Sequence, residues 1–186
     1  TVLIVALLNL GYFGIEFVVA SRIGSVSLFA DSVDFLEDAS VNFLIALAIG
    51  WSLRARSRTG RALALMLLAP ALATFWTLWT KVQGFNPPDA LSLTSTGLGA
   101  LVLNLSCAFM LVRFRNHSGS LAKAAFLSAR NDVFANLAII AAGVITAFLW
   151  RSAWPDVIVG LGIAAMNADA AREVWKAARA EKSAAI

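Results

Sequence analysis

The chain has 186 residues, of which 60% are hydrophobic and 14% are charged, and its formal net charge is +4. This composition is too apolar for a soluble domain of this length and indicates an all-α membrane protein. The lone cysteine, Cys107, excludes a disulfide framework and a cysteine-rich metal site, and we expect it to be a small packed hydrophobe.

Six apolar segments are long enough to cross a bilayer as helices. The predicted spans are residues 3–20, 27–53, 62–80, 91–112, 121–150 and 155–174. The connections between them are too short to hold a folded extramembrane domain. The sequence therefore predicts a single transmembrane domain over residues 1–186, with six transmembrane helices and no soluble C-terminal domain.

The first span carries two polar residues, Asn9 and Glu16. They are seven positions apart and so share one face of a helix. A polar face in a membrane helix turns toward the protein interior, where Glu16 either pairs with a neighbouring helix or carries protons.

The second span carries four acids near its start, Asp31, Asp34, Glu37 and Asp38. At about 100° per residue, the three aspartates fall within an arc of about 60°, and Glu37 widens the arc to about 120°. An acid at the bilayer centre costs at least about 2.5 kcal/mol. This face must therefore point inward, toward a counter-charge, protons or a bound cation.

The acids of the second span have a matching set in the fifth. Asp34 and Asp38 are four residues apart, so their carboxylates lie about 6 Å apart and can converge on one ion. In the fifth span, Ser128, Asp132 and Asn136 cover an arc of about 80°. Three carboxylates with a hydroxyl, an amide or a water would make a four-coordinate site, which favours zinc. Because no His or Cys lies nearby, manganese, iron, cobalt and cadmium remain open.

A purely structural alternative is that the acids neutralise Arg130 or remain protonated as hydrogen-bond donors. Arg130 projects about 160° from Asp132 on a helical wheel and is expected to reach toward the cytosolic surface instead. One arginine also cannot balance four or five acids. We therefore favour a functional face, on which Asp31 and Glu37 are ligands, proton carriers or supporting groups.

Two further polar residues have structural interpretations. Asn104 in the fourth span is expected to form a hydrogen bond between helices. Asp156 follows Pro155 at the start of the sixth helix, where a carboxylate is stabilised by the dipole of that helix.

The basic residues predict the topology. With both termini in the cytosol, the inner side carries eleven lysines and arginines, the outer side carries three, and Arg130 stays within a span. The inner residues are Arg54, Arg56, Arg58, Arg61, Arg113, Arg115, Lys123, Arg172, Lys176, Arg179 and Lys182, and the outer ones are Arg22, Lys81 and Arg151. We therefore expect a multi-pass protein of the cell membrane, which in a bacterium is the inner membrane. Its expected partner is the lipid bilayer and not nucleic acid.

The runs LFADSVDFLED at residues 28–38 and NDVFAN at residues 131–136 resemble the cation diffusion facilitator family of divalent-metal exporters. This resemblance implies a homodimer, not an enzyme, that exchanges a metal ion for protons by alternating access and uses no organic cofactor. Asp34 and Asp38 match the family's second-helix ligands, and Asp132 matches the second of its fifth-helix ligands. Ser128 stands where the family has His or Asp, with Asn131, Asn136 or Glu37 as substitutes. The family's usual cytosolic metal-binding domain has no counterpart here, which implies a short member.

The leading hypothesis is therefore proton-coupled export of a divalent cation, with zinc favoured, through a site between helices two and five. The metal ligands would be Asp34, Asp38, Asp132, Ser128, Asn131 and Glu37. The alternatives are a metal-binding structural or sensing subunit without transport activity, and a channel that conducts only protons. More acids on one face than a static site needs favour transport, because the spare carboxylates can exchange protons for metal.

Overall fold

A computed structural model describes residues 1–47, 74–79, 86–112 and 119–184. Within these ranges, the side chains of residues 44, 45, 47, 112, 119–131, 167, 170, 171 and 173–184 are not described. The described residues are helical, without strands. The helices are α1 (Val2–Ile23), α2 (Val26–Leu47), α3 (described at residues 74–79), α4 (Ala90–Val112), α5 (Gly119–Phe148) and α6 (Trp154–Ala184).

Four predicted spans can be compared with the helices at both ends, and the second span can be compared at its start. The first, fourth and fifth helices begin and end within three residues of the predicted bounds. The second begins one residue earlier than predicted, and its predicted end at residues 48–53 lies outside the described residues. The sixth continues ten residues past Val174 through an amphipathic segment. Most of the third predicted span, and His117, also lie outside the described part of the chain.

The burial pattern is the reverse of that in a soluble protein. Many large apolar side chains of α1, α4 and α5 are exposed, whereas Asn9, Glu16, Asp31, Asn104 and Asn136 are at most 2% exposed. Val2–Ile23 and Ala90–Leu111 are long and apolar enough to cross a membrane, and Asp132–Phe148 and Trp154–Met166 are shorter apolar stretches. An apolar exterior around a polar interior is the arrangement that a lipid environment favours.

Helices α1 and α2 form an antiparallel hairpin through a short turn. Gly24 closes α1 in the left-handed conformation, with φ of 64°, and its N–H donates to the carbonyl of Ala20. The Tyr12 and Phe35 rings then pack with their centroids 5.0 Å apart. This aromatic pair fixes the register of the hairpin. A residue that follows Tyr12 in α1 lies at the same height as the residue that precedes Phe35 in α2 by the same number of positions, and the converse holds for residues before Tyr12.

Helix α4 is antiparallel to α1. The Tyr12 hydroxyl donates to the carbonyl of Thr96 at 2.6 Å. Further along, Val5 packs in one cluster with Cys107, which is buried as expected. Because Val5 precedes Tyr12 while Cys107 follows Thr96, the two chains run in opposite directions.

Helix α5 is antiparallel to α4, as the positions of two glycines show. Gly97 of α4 lies against Ile139, and Gly143 of α5 lies against Thr94. Since α1 is antiparallel to both α2 and α4, and α4 to α5, helices α2 and α5 also run in opposite directions. Helix α2 packs against α1, α4, α5 and α6, so it occupies the centre of the described bundle.

Helix α4 begins where the chain leaves Pro87 and Pro88. Asp89 caps it, because the N–H of Ser92 donates to Asp89 Oδ1 at 2.8 Å. The side-chain and backbone hydrogen bonds from Ser92 hold the pKa of this exposed carboxyl below its usual range. The cap explains why the fourth helix starts close to its predicted bound.

Asp156 joins the start of α6 to the start of α2. Its Oδ1 accepts hydrogen bonds from the Ser25 hydroxyl (2.7 Å), the Ser27 hydroxyl (2.6 Å) and the Ser27 N–H (3.1 Å). Its Oδ2 accepts one from the Val26 N–H (2.8 Å). This fully buried carboxylate therefore caps the first turn of α2, a role across helices that the sequence interpretation of Asp156 did not include.

Gly160 allows this close approach, and we expect Gly160→Ala to lower stability by about 1–3 kcal/mol. A Cβ at Gly160 would lie 2.8 Å from the Val26 carbonyl carbon and 2.9 Å from the Ser27 nitrogen, which are backbone atoms that cannot rotate away. The matched control is Gly162→Ala, because a Cβ there meets nothing within 4 Å. Thermal unfolding in detergent should show a lower midpoint for Gly160→Ala only. Equal midpoints for the two variants would contradict this packing.

Candidate metal site

The acids of α2 lie on its buried face, as their spacing predicts. Asp31 is fully buried, and Asp34 and Asp38 are each 8% exposed. Glu37 is half-buried and lies at the edge of this face. The polar face is turned into the bundle because α2 is surrounded by other helices.

Asp132 of α5 meets these acids from the opposite side. It is 9% exposed, its side chain lies within hydrogen-bonding reach of Asp38, and it is also close to Asp34. The packing of α2 on α5 thus buries the three aspartates proposed as ligands in the same part of the bundle. In the described part of the chain, no three His, Cys, Asp or Glu side chains form a group compact enough to hold a metal ion by themselves.

The contact between Asp38 and Asp132 also sets the register of the two helices. Because α2 and α5 are antiparallel, a step of four residues along one matches a step of four back along the other. Asn136 therefore lies at the height of Asp34, and Asn42 at the height of position 128. The side chains of Ser128 and Asn131, the remaining predicted ligands, lie outside those that the structure describes.

A second acid pair lies between α1 and α2, about one turn from Asp34 and two turns from Asp38. Glu16 and Asp31 are both fully buried, and their carboxyl groups face each other. All four of their carboxyl oxygens lack a hydrogen-bond partner among the described residues. A buried acid without a partner is costly as an anion, so this pair requires a proton or a cation.

Asn9 and Asn104 are two further buried polar residues of the bundle. In the α1–α2 register, Asn9 lies at the height of Asp38, and both polar atoms of its side chain lack a partner among the described residues. Asn104 is buried, and its Oδ1 also lacks such a partner. The interhelical hydrogen bond expected of Asn104 is therefore not made by this oxygen.

Two buried asparagines have the same relation to a proposed ligand. The Nδ2 of Asn42 donates to the backbone carbonyl of Asp38 at 2.8 Å, and the Nδ2 of Asn136 donates to that of Asp132 at 2.7 Å. In both amides Oδ1 is buried and lacks a hydrogen-bond partner among the described residues. Sequence reasoning did not single out Asn42, although its spacing of four from Asp38 repeats the spacing of Asn136 from Asp132.

Comparison with known proteins gives a consistent result. A family profile described as the cation efflux transmembrane domain matches residues 2–181. Relatives named cation-efflux pump FieF, from Salmonella arizonae, Salmonella newport and Salmonella heidelberg, are each 28% identical over 154 residues. The match covers 75% of this chain and 51% of each relative, so the chain spans about half the length of these relatives.

Proposed function

The chain belongs to the cation efflux transmembrane domain family, and from this membership we propose that it exports divalent metal cations in exchange for protons. The resemblance to the cation diffusion facilitator family, stated from the motifs of α2 and α5, is confirmed at the level of the family. The chain is accordingly a helical membrane protein.

The observation that carries the proposal is the burial of Asp34, Asp38 and Asp132 in the same part of the bundle. Three buried carboxylates repel one another and are poorly solvated, so they favour binding of a divalent cation or protons. A site that binds either a cation or protons, but not both, is what an exchanger needs. Metal binding then displaces protons, and protons displace the metal.

Further parts of the proposal are drawn from the sequence and the family. We place both termini in the cytosol, with six membrane-spanning helices, and the protein in the bacterial inner membrane as a homodimer. The site would open alternately to the two sides of the membrane. Zinc is the cation that the sequence favours, with cadmium, manganese, iron and cobalt as alternatives.

Two other functions compete with export. A structural or sensing subunit would bind metal at the same acids without moving it, and a proton channel would move protons without metal. The Glu16–Asp31 pair favours exchange over static binding, because a binding subunit needs no second set of buried acids away from the ligands.

Metal flux into sealed proteoliposomes distinguishes the three. We expect zinc to accumulate in vesicles that contain the chain, faster than in protein-free vesicles, when the inside is acidic. Binding in detergent without flux in vesicles would identify the subunit, and proton flux without zinc flux would identify the channel.

A further inference from the structure

We infer that Asn9 of α1 is a positioning residue for the proposed metal site. Its amide N–H donates to the Asp38 carboxylate, directly or through one water, when Asp38 binds a cation. This inference rests on the proposed function, and it adds a third helix to a site whose proposed ligands come from α2 and α5.

Contacts between α1 and α2 fix the position of Asn9. The carboxyl groups of Glu16 and Asp31 face each other across the two helices. A step of seven residues covers two helical turns, about 10.5 Å, and rotates the direction of a side chain by only about 20°. Asn9 lies seven residues before Glu16, and Asp38 lies seven residues after Asp31. Because the helices are antiparallel, Asn9 and Asp38 also face each other at one height, in agreement with the register of the aromatic pair.

The amide of Asn9 is buried without a hydrogen bond. The residue is fully buried, and both Nδ2 and Oδ1 lack a partner among the described residues. Buried polar side chains are normally hydrogen-bonded, so an amide with neither group paired requires an explanation. Asp38, on the facing helix, carries carboxylate oxygens that accept hydrogen bonds from an amide N–H.

An amide donor suits a carboxylate that binds a metal. Carboxylates that act as metal ligands are in turn held by hydrogen bonds from groups that do not touch the metal, and these bonds orient the ligand. The NH₂ group of Asn9 can donate such a bond, whereas an ionised Asp132 can only accept one. Asn9 is therefore suited to hold Asp38 in the orientation that the cation requires.

Asn9 approaches Asp38 from a different side than Asp132 does. Among the described residues, α1 packs on α2 and α4, whereas α5 packs on α2, α4 and α6. Helices α1 and α5 do not touch each other in this part of the chain. Asn9 therefore acts through Asp38, and not by direct contact with a cation held between α2 and α5.

The test measures zinc affinity of the full chain in detergent by calorimetry. Asn9→Leu keeps a similar volume but removes the donor, so we expect zinc to bind roughly tenfold more weakly, as is typical for the loss of a group that orients a ligand. If this variant does not fold, as judged by elution volume and helical content, Asn9→Ala takes its place, because it removes the amide without adding volume. An affinity equal to that of the unaltered chain would overturn the inference.

A double-mutant cycle shows whether Asn9 acts through Asp38. Asn9→Leu is combined with Asp38→Asn and, as the matched comparison, with Asp34→Asn, since both of these variants keep a neutral oxygen ligand. We expect the roughly tenfold loss to persist in Asp34→Asn and to shrink to about twofold or less in Asp38→Asn. An equal loss in both backgrounds would show that Asn9 does not act through Asp38 and would overturn the inference.

The packing control is Thr146→Val. Thr146 is a buried residue of α5 whose hydroxyl also lacks a partner among the described residues. It lies about 21 Å along the helix from Asp132, so its replacement should leave zinc affinity unchanged. A loss of affinity in this variant as large as in Asn9→Leu would assign the effect to general packing and overturn the inference.

Binding in detergent separates this inference from the proposed function, because it does not require transport. Binding that is weakened by Asn9→Leu in a manner that depends on Asp38 supports the inference even if vesicles show no flux, in which case only the export function fails. Binding that does not differ between Asn9→Leu and the unaltered chain overturns the inference even if export is observed.

Discussion

Replacing any one of Asp34, Asp38 and Asp132 with alanine is expected to abolish metal transport, a loss on the order of a hundredfold or more. Each substitution removes a charged oxygen ligand that water replaces poorly. The two acids that remain should therefore bind the cation less tightly. The protein should still fold, because removal of an acid from a cluster of buried acids also removes repulsion.

The measurement is the initial rate of zinc flux into vesicles, with elution volume and helical content as checks of folding. Asp169→Ala is the matched control, because Asp169 is an exposed acid on α6. Transport near the unaltered rate in all three site variants would show that the cation passes elsewhere.

The second large effect is expected at the Glu16–Asp31 pair. Glu16→Gln or Asp31→Asn should weaken the dependence of metal transport on the proton gradient, because an amide cannot take up or release a proton, whereas the ligand carboxylates still can. The sign of the normal dependence follows from competition. Protons on the metal-binding side occupy the carboxylates and weaken metal binding, so acid outside and a neutral cytosol should drive export.

The readout is the metal transport rate at a series of internal and external pH values. His117→Ala is the control, since His117 is the only histidine in the chain and should not be needed for the response. If His117→Ala removes the dependence on pH while the two acid variants keep it, the coupling does not reside in the buried carboxylates.

Hydropathy and spacing predicted much of the fold and part of the site. Long apolar segments located α1, α4, α5 and the start of α6 closely, because a helix that crosses lipid needs a continuous apolar stretch. The spacing of four between Asp34 and Asp38 correctly placed both on a buried face. The burial of Asp132 agrees with the argument that acids in a membrane helix must turn inward.

Other features depend on which residues of neighbouring helices lie at the same height. The spacing of residues within one sequence does not determine this register. The pairing of Glu16 with Asp31 follows from the Gly24 turn and from the packing of Tyr12 on Phe35. Spacing alone shows that Glu16 shares a face with Asn9, but not which acid it meets.

The interpretation of Asp156 was incomplete for the same reason. A carboxylate at the start of a helix is normally attributed to the dipole of that helix, whereas here it caps α2. Sequence reasoning did not single out Asn42, whose Nδ2 donates to the backbone carbonyl of Asp38. The predicted roles of Ser128 and Asn131 stay predictions.

The most direct test of proton-coupled export measures zinc and protons together in sealed proteoliposomes, with a zinc indicator and a pH indicator trapped inside. An outward proton gradient should drive zinc inward while the internal pH rises, and both signals should disappear in Asp38→Ala. Zinc entry without a pH change, or a pH change that does not depend on zinc, would contradict the exchange mechanism.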